Sequence, residues 1–116
     1  LVSLGRVGRM ERRVAAAIRI MEAHLDAPQP IRAIAARVNC STRTLEGLFR
    51  DAVQASPGAY YQSLRLQAAR RLVMDTDLSM AEIAVRTGFS TVAGLSRAFR
   101  RQFGQAPSAA RRGSKP

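Results

Sequence analysis

A single cysteine, Cys40, leaves no internal disulfide to form in these 116 residues, which suits a reducing cytoplasm. Tryptophan is absent and the aromatic share is only 5%. β-Branched alternation is missing while Ala and Leu abound, so the expected class is all-α. No apolar run nears the ~18 residues that a membrane span needs, so the chain is expected to be soluble, cytoplasmic and without a membrane partner. One histidine, His24, one cysteine, no glycine-rich phosphate loop and no clustered carboxylates leave nothing from which to build a catalytic or metal-binding set. No enzymatic activity, cofactor or metal is expected.

Acidic residues are the other shortage. Eight Asp and Glu face nineteen Lys and Arg, a net charge of +11, and eighteen of the basic residues are arginine. Glu82 is the last acid. Beyond it Arg86, Arg97, Arg100, Arg101, Arg111, Arg112 and Lys115 go unopposed. A basic face of this kind fits a polyanion such as nucleic acid, because planar arginine forks suit phosphates and guanine edges. A solvated arginine-rich surface is the bland alternative, and charge alone does not separate the two.

What is present is a helix-turn-helix pattern in Ser79–Gly104, SMAEIAVRTGFSTVAGLSRAFRRQFG. Ser79 with Glu82 reads as a capping-box start, Ile83 and Ala84 face inward, and Gly88 supplies the left-handed turn. Ser90 and Thr91 can cap a second helix, whose apolar stripe is Leu95, Ala98, Phe99 and Phe103. Ser96, Arg97, Arg100 and Arg101 point elsewhere. In such a motif the second helix is the one that enters a DNA major groove.

The pattern occurs twice. At an offset of forty-nine, Ile34, Ala35, Arg37 and Ser41 match Ile83, Ala84, Arg86 and Ser90, with Asn39 in place of Gly88. At an offset of fifty, Leu45, Phe49, Arg50 and Pro57 match Leu95, Phe99, Arg100 and Pro107. The chain thus holds a duplicated unit whose downstream copy carries one extra residue, in its turn or first helical turn.

Around the two motifs the pattern is coarser. Residues 1–9 show no period and read as a linker or tag, and a start at Leu1 rather than Met reads as a fragment. A first helix is expected from Glu11 to about Leu25, with Val14, Ala17, Ile18, Met21 and Leu25 inward. A short helix over Ile31–Val38 has no side-chain cap at Pro30. Ser41 caps the next, Thr42 to about Val53, with Leu45, Leu48, Phe49 and Ala52 inward and Thr42, Arg43, Glu46 and Arg50 outward. Ser56 and Pro57 open a long helix to about Asp75, roughly 27 Å at ~1.5 Å per residue. Tyr60 and Tyr61 in its first turn are read as core packing with one hydroxyl wet, ahead of base stacking. Cys40 is read as a small buried contact and His24 as a lone histidine without a partner. Pro107 opens a short last helix, and Arg111 to Pro116 reads as a basic tail.

The segments RLQAARRLVMDTDLSMAEIAVRTGFST and SRAFRRQFGQAPSAARR resemble the C-terminal DNA-binding domain of AraC/XylS-type bacterial transcription regulators. The likeness covers about Glu11 to Arg112, and the IAxxxGFS turn, the SRAFRRxFGxxP run and the RLxxARRL helix occur in order and at the family's spacing. The resemblance implies about seven helices in two helix-turn-helix lobes joined by a central linker helix. By residue number these are lobe one at 10–56, the linker helix at 57–75, lobe two at 76–112 and a tail at 113–116. It also implies double-stranded DNA as partner, and an effector or dimerisation domain not contained in this chain. The wording of ERRVAAAIRIMEAHL and YYQSLRLQAARRL is most similar to members whose N-terminal domain resembles class I glutamine amidotransferases.

Carried over by position, the family's base-reading sites fall on Arg43, Glu46 and Gly47 upstream and on Val92, Ala93, Ser96 and Arg97 downstream. The family often has arginine where Gly47 stands, and Phe where Leu95 stands. Val92 and Ala93 then suit thymine methyls or groove shape, leaving Arg97 as the hydrogen-bonding reader downstream and Arg43 upstream. Glu46 either accepts from a cytosine amino group or orients Arg43 or Arg50. Ser41, Thr42, Arg50, Ser90, Thr91, Arg100, Arg101 and Arg112 are the phosphate candidates. Sequence-specific DNA binding that regulates transcription is the leading expectation. Non-specific nucleic-acid binding is the alternative, and a protein-only adaptor, for instance to RNA polymerase, leaves the charge unexplained.

Overall fold

The computed structural model describes the backbone of residues 2–114 and the side chains of residues 12–113. Among these it has seven helices and no strand: α1 (Val2–Ala23), α2 (Ile31–Arg37), α3 (Thr42–Val53), α4 (Pro57–Asp75), α5 (Met80–Arg86), α6 (Val92–Phe103) and α7 (Pro107–Ser114). They divide into two compact units. The first takes in α1 and Pro28–Tyr61; the second takes in Gln62 onward together with Leu25–Ala27.

In the first unit α1 buries Val14, Ala17 and Met21, one face at i, i+3 and i+7. Against them lie Ile34 and Ala35 of α2 and Leu45, Leu48 and Phe49 of α3. Ala52, expected inward, is exposed, while Ile18 and Leu25 are half-buried. Helical backbone begins at Val2, upstream of the expected start near Glu11. The glycines at 5 and 8 weaken that stretch by about 1 kcal/mol each, yet nothing in it removes a backbone donor as proline would. Elongating a formed helix adds a hydrogen bond per residue, and that carries the backbone through it.

The ends of α2 and α3 follow from their local chemistry. Pro30 offers α2 no side-chain cap, so only its carbonyl serves the first turn, accepting from Ala33 and Ile34. At the other end Cys40 N donates to Ala35 O at 3.0 Å and Asn39 N to Ala36 O at 3.1 Å, with Asn39 left-handed at φ 62°. This is a Schellman turn. Ser41 then caps α3 at once, its Oγ accepting from Thr44 N at 3.0 Å. At the far end of α3 a second left-handed residue, Gln54 at φ 58°, donates to Arg50 O.

Ser56 Oγ accepts from Ala59 N, and Pro57 is buried as the first residue of α4. Tyr60 packs edge-on against Phe49, with ring centroids 5.8 Å apart. Tyr61 is buried, and its hydroxyl donates to His24 O at 2.6 Å and accepts from Gln29 N at 3.0 Å. That hydroxyl, just past the end of α1, ties the α1–α2 connection to α4. His24 itself is held by an Nδ1 donation to Ile20 O at 2.8 Å.

The second unit repeats the plan. From α4 it buries Leu66, Ala69 and Val73, again at i, i+3 and i+7, with Ile83 and Ala84 of α5, Leu95, Ala98 and Phe99 of α6, and Ala110 of α7. Leu72, Leu78, Met80, Phe89 and Phe103 close the edges half-buried. Ser79 accepts from Glu82 N at 3.1 Å, and its hydroxyl meets Glu82 Oε1 at 3.4 Å. Glu82 therefore turns to the cap hydroxyl rather than to the Ser79 N–H of a full capping box.

Arg111, expected in a basic tail, lies half-buried within α7. Its Nε donates to Val73 O at 3.0 Å, Nη1 to Leu78 O at 2.8 Å and Nη2 to Leu72 O at 3.4 Å. It therefore reaches Val73 O in the last turn of α4 and Leu78 O in the connection that follows, and adds to Leu72 O, which already accepts from Thr76 N. Tyr61 and Arg111 stand fifty residues apart, each in the fifth position of a helix that begins with a buried proline. Each braces the end of the helix that opens its unit.

Candidate nucleic-acid interface

The two caps locate the extra residue. Up to Cys40 and Phe89 the copies match at an offset of forty-nine, because Phe89 N donates to Ala84 O at 2.9 Å and Gly88 N to Val85 O at 3.3 Å, with Gly88 left-handed at φ 78°. From the caps onward they match at fifty. Thr91, not Ser90, is the N-cap of α6, and its Oγ1 accepts from Gly94 N at 2.9 Å. The inserted residue is Ser90, between the Schellman turn and the cap, where it is exposed. It follows that α3 and α6 superpose residue for residue: Leu45 on Leu95, Leu48 on Ala98, Phe49 on Phe99, all buried.

That equivalence turns the same faces outward in both units. The exposed side chains of α3 include Thr42, Arg43, Glu46 and Arg50, together with Thr44, Asp51 and Ala52, with Ser41 exposed at the cap and Gly47 half-buried. On α6 they are Val92, Ala93, Arg97, Arg100, Arg101 and Gln102, with Thr91 exposed at the cap and Ser96 half-buried. Arg112 is exposed on α7. Both cap hydroxyls are already engaged by amides of their own first turns, so the anion-attracting character of each helix start comes from backbone N–H groups and the helix dipole.

The two outward faces differ in where the cation sits. Arg43 occupies the place of Ala93, and Gly47 the place of Arg97, so among the expected base-reading positions each helix has one arginine, the two set four residues apart within the shared frame. Glu46 stands one turn before Arg50, a spacing at which opposite charges attract, whereas Arg97 stands one turn before Arg101, where like charges repel. The face of α6 is therefore the more strongly cationic of the two, and an anion placed on it relieves its internal repulsion.

The family model described as helix-turn-helix domain, HTH_18, matches residues 34–113. A solved structure from Chromobacterium violaceum, a transcriptional regulator of the group of AraC-type DNA-binding domain-containing proteins, is 33% identical with a TM-score of 0.85, covering 90% of this chain and 93% of that one. The chain belongs to the AraC-type helix-turn-helix domains. The DNA-binding domain of AdpA, solved in complex with a target DNA, is 32% identical with a TM-score of 0.81 over 86% of this chain and 90% of that one. Among curated regulators, GbdR of Pseudomonas aeruginosa is 38% identical over 96 residues, 83% of this chain and 26% of its own length. GlxA of Rhizobium meliloti is 40% identical over 94 residues, 81% and 29%. The chain thus spans between a quarter and a third of the length of these regulators.

Within this AraC-type domain two arginines, one expected in the basic tail and one without an expected role, are structural. Arg111 is one. Arg65 is the other: its Nε donates to Thr87 O at 2.8 Å and its Nη2 to Gly88 O at 2.6 Å, while its guanidinium lies 4.3 Å from the centroid of the Phe89 ring. Thr87, also unflagged, is the one polar side chain among the buried residues of the described chain, and its Oγ1 donates to Ile83 O at 2.6 Å. The only signal available in sequence is position: Arg111 falls opposite the buried Tyr61 at the fifty-residue offset, and Arg65 directly precedes the buried Leu66.

Proposed function

We propose that this domain binds double-stranded DNA sequence-specifically and thereby regulates transcription initiation, with α3 and α6 each entering a major groove. The observation that carries the reading is the pairing of one scaffold with two unlike faces. Caps and buried residues repeat at an offset of fifty, yet Arg43, Glu46 and Gly47 stand where the second copy has Ala93, Ser96 and Arg97. A purely electrostatic grip needs no such difference.

In this reading Arg43 and Arg97 hydrogen-bond guanine edges, a contact that typically discriminates by ~1–3 kcal/mol. Val92 and Ala93 meet thymine methyls, Glu46 accepts from a cytosine amino group or orients its arginine neighbours, and Gly47 and Ser96 face the groove. Ser41, Thr42, Arg50, Ser90, Thr91, Arg100, Arg101 and Arg112 contact the phosphates that set the register. The functional division is lobe one at 10–56, linker helix at 57–75 and lobe two at 76–112. The short coverage of the curated regulators supports an effector or dimerisation domain elsewhere in the protein, and the likeness to GlxA favours the glutamine-amidotransferase-like kind. RNA polymerase is the proposed second partner and the cytoplasm the proposed location; among the described residues no helix is long and apolar enough to cross a membrane.

Two different reading helices predict an asymmetric site of two unlike boxes about one helical turn, ~10.5 bp, apart. Selection of random duplex DNA on the 116-residue chain at about 150 mM salt, followed by sequencing, reads this directly, since non-specific binding is strongly salt-sensitive. Arg43→Ala and Arg97→Ala should each erase preference in one box. Equal retention of selected and scrambled DNA would leave a non-specific nucleic-acid module in its place.

A further inference from the structure

The insertion of Ser90 poses a mechanical problem. Upstream, Asn39 and Cys40 complete the Schellman turn and Ser41 caps α3 immediately. Downstream, Gly88 and Phe89 make the same turn, but Ser90 intervenes before the cap at Thr91. One more residue means two more soft backbone dihedrals in the hinge that aims α6. Left alone, this hinge would hold α6 less firmly than its counterpart holds α3.

Arg65 sits on that hinge. It bonds the carbonyls of Thr87 and Gly88 and stacks on Phe89, so three consecutive residues are gripped by one side chain. The first of these anchors is itself fixed, because Thr87 is 1% exposed and back-bonded to α5. A planar guanidinium can bond two carbonyls and stack at once, which an ammonium cannot. In the first unit Arg13 precedes Val14 as Arg65 precedes Leu66, ahead of the same i, i+3, i+7 burial. Among the described residues, however, no hydrogen bond joins Arg13 to the shorter turn at Val38 and Asn39.

We infer that Arg65 is a positioning residue for DNA readout by α6: it takes up the freedom added by Ser90, so that base selection by α6, and not by α3, depends on it. This rests on α6 being a reading helix, and it goes further in assigning a role to a side chain whose guanidinium is engaged by the turn and lies outside both reading helices.

The test measures binding of the 116-residue chain and its variants to three duplexes: one with both selected boxes, one with the α3 box scrambled and one with the α6 box scrambled. Arg43→Ala and Arg97→Ala assign each box to its helix. Arg65→Met should lower discrimination at the α6 box at least about ten-fold while discrimination at the α3 box stays within about two-fold, the scale of one lost arginine–guanine contact. Arg65→Lys, keeping the charge but replacing the planar fork with one compact ammonium, should fall between. Far-UV circular dichroism reports folding. If Arg65→Met does not fold, the Arg65→Lys ratio decides, a loss confined to the α6 box supporting the role. An unchanged α6 ratio, or equal loss at both boxes, overturns the inference while the wild type remains selective. A wild type that selects neither box overturns the underlying reading and the positioning role with it.

Discussion

Gly47 lies half-buried on the outward side of α3, and a Cβ there would meet no heavy atom within 4 Å. Gly94, near the start of α6, is different: its Cβ would stand 3.2 Å from Thr91 Oγ1, the oxygen that caps the helix through Gly94 N. Glycine in a helix interior is worse than alanine by about 1 kcal/mol. Gly47→Ala should therefore raise the melting temperature by about 4 °C, the shift that ~1 kcal/mol produces in a domain of this size. Gly94→Ala should gain less, since part of the same propensity term is offset by crowding the cap. Calorimetry of the two variants decides, and a Gly94→Ala gain equal to that of Gly47→Ala would mean the cap yields without strain. The glycine at 104 is another matter, because its φ of 84° serves the end of α6 as Gln54 serves α3. These positions show what sequence can and cannot tell. A capping serine or a turn glycine announces itself because its chemistry is local. Arg65 and Arg111 do not, because their partners are carbonyls 22 to 39 residues away and their side chains look like any surface arginine.

At the scale of the element, α3 and α6 are one design with the arginine moved. The repeat was legible in sequence as two offsets, forty-nine and fifty, and their difference as one extra residue. Its place was not, because Ser90 and Thr91 are both favourable caps by type and only the bond to Gly94 N chooses between them. With the cap assigned, Arg43 and Arg97 fall four residues apart in the common frame. Four residues of helix are about 6 Å, close to the rise of two base pairs at ~3.4 Å each. Converting α3 to the α6 pattern with Arg43→Ala and Gly47→Arg should then move the selected guanine within the α3 box by about two positions rather than abolish it. The open space at Gly47 lets the new side chain enter without displacing a neighbour. A repeat of the selection with this double variant is the measurement, and a guanine that stays in place would remove Arg43 from the base contacts.

At the scale of the whole molecule the dominant fact is the charge of +11, and its distribution decides how it acts. Not all of the arginines are available to a polyanion. Arg65 and Arg111 have their guanidinium groups committed to backbone carbonyls, and Arg70 lies 5.4 Å from the Phe103 ring centroid. Arg50, Arg100, Arg101 and Arg112 are the arginines among the phosphate candidates, and all four are exposed. If these four displace condensed counterions, they contribute about −3.6 to the slope of log affinity against log salt. Arg100→Ala or Arg101→Ala should each make that slope shallower by about 1 and weaken selected and scrambled DNA alike. Arg97→Ala should do the reverse, lowering the ratio of selected to scrambled affinity with a smaller change in slope. The two signatures separate grip from reading because a phosphate contact carries no sequence information and a base-edge contact neutralises no phosphate. Titrations at several salt concentrations with both DNAs measure both quantities at once. If Arg97→Ala flattens the slope as Arg100→Ala does while leaving the ratio intact, α6 is a phosphate clamp, and the unlike faces of the two helices encode strength of binding rather than choice of site.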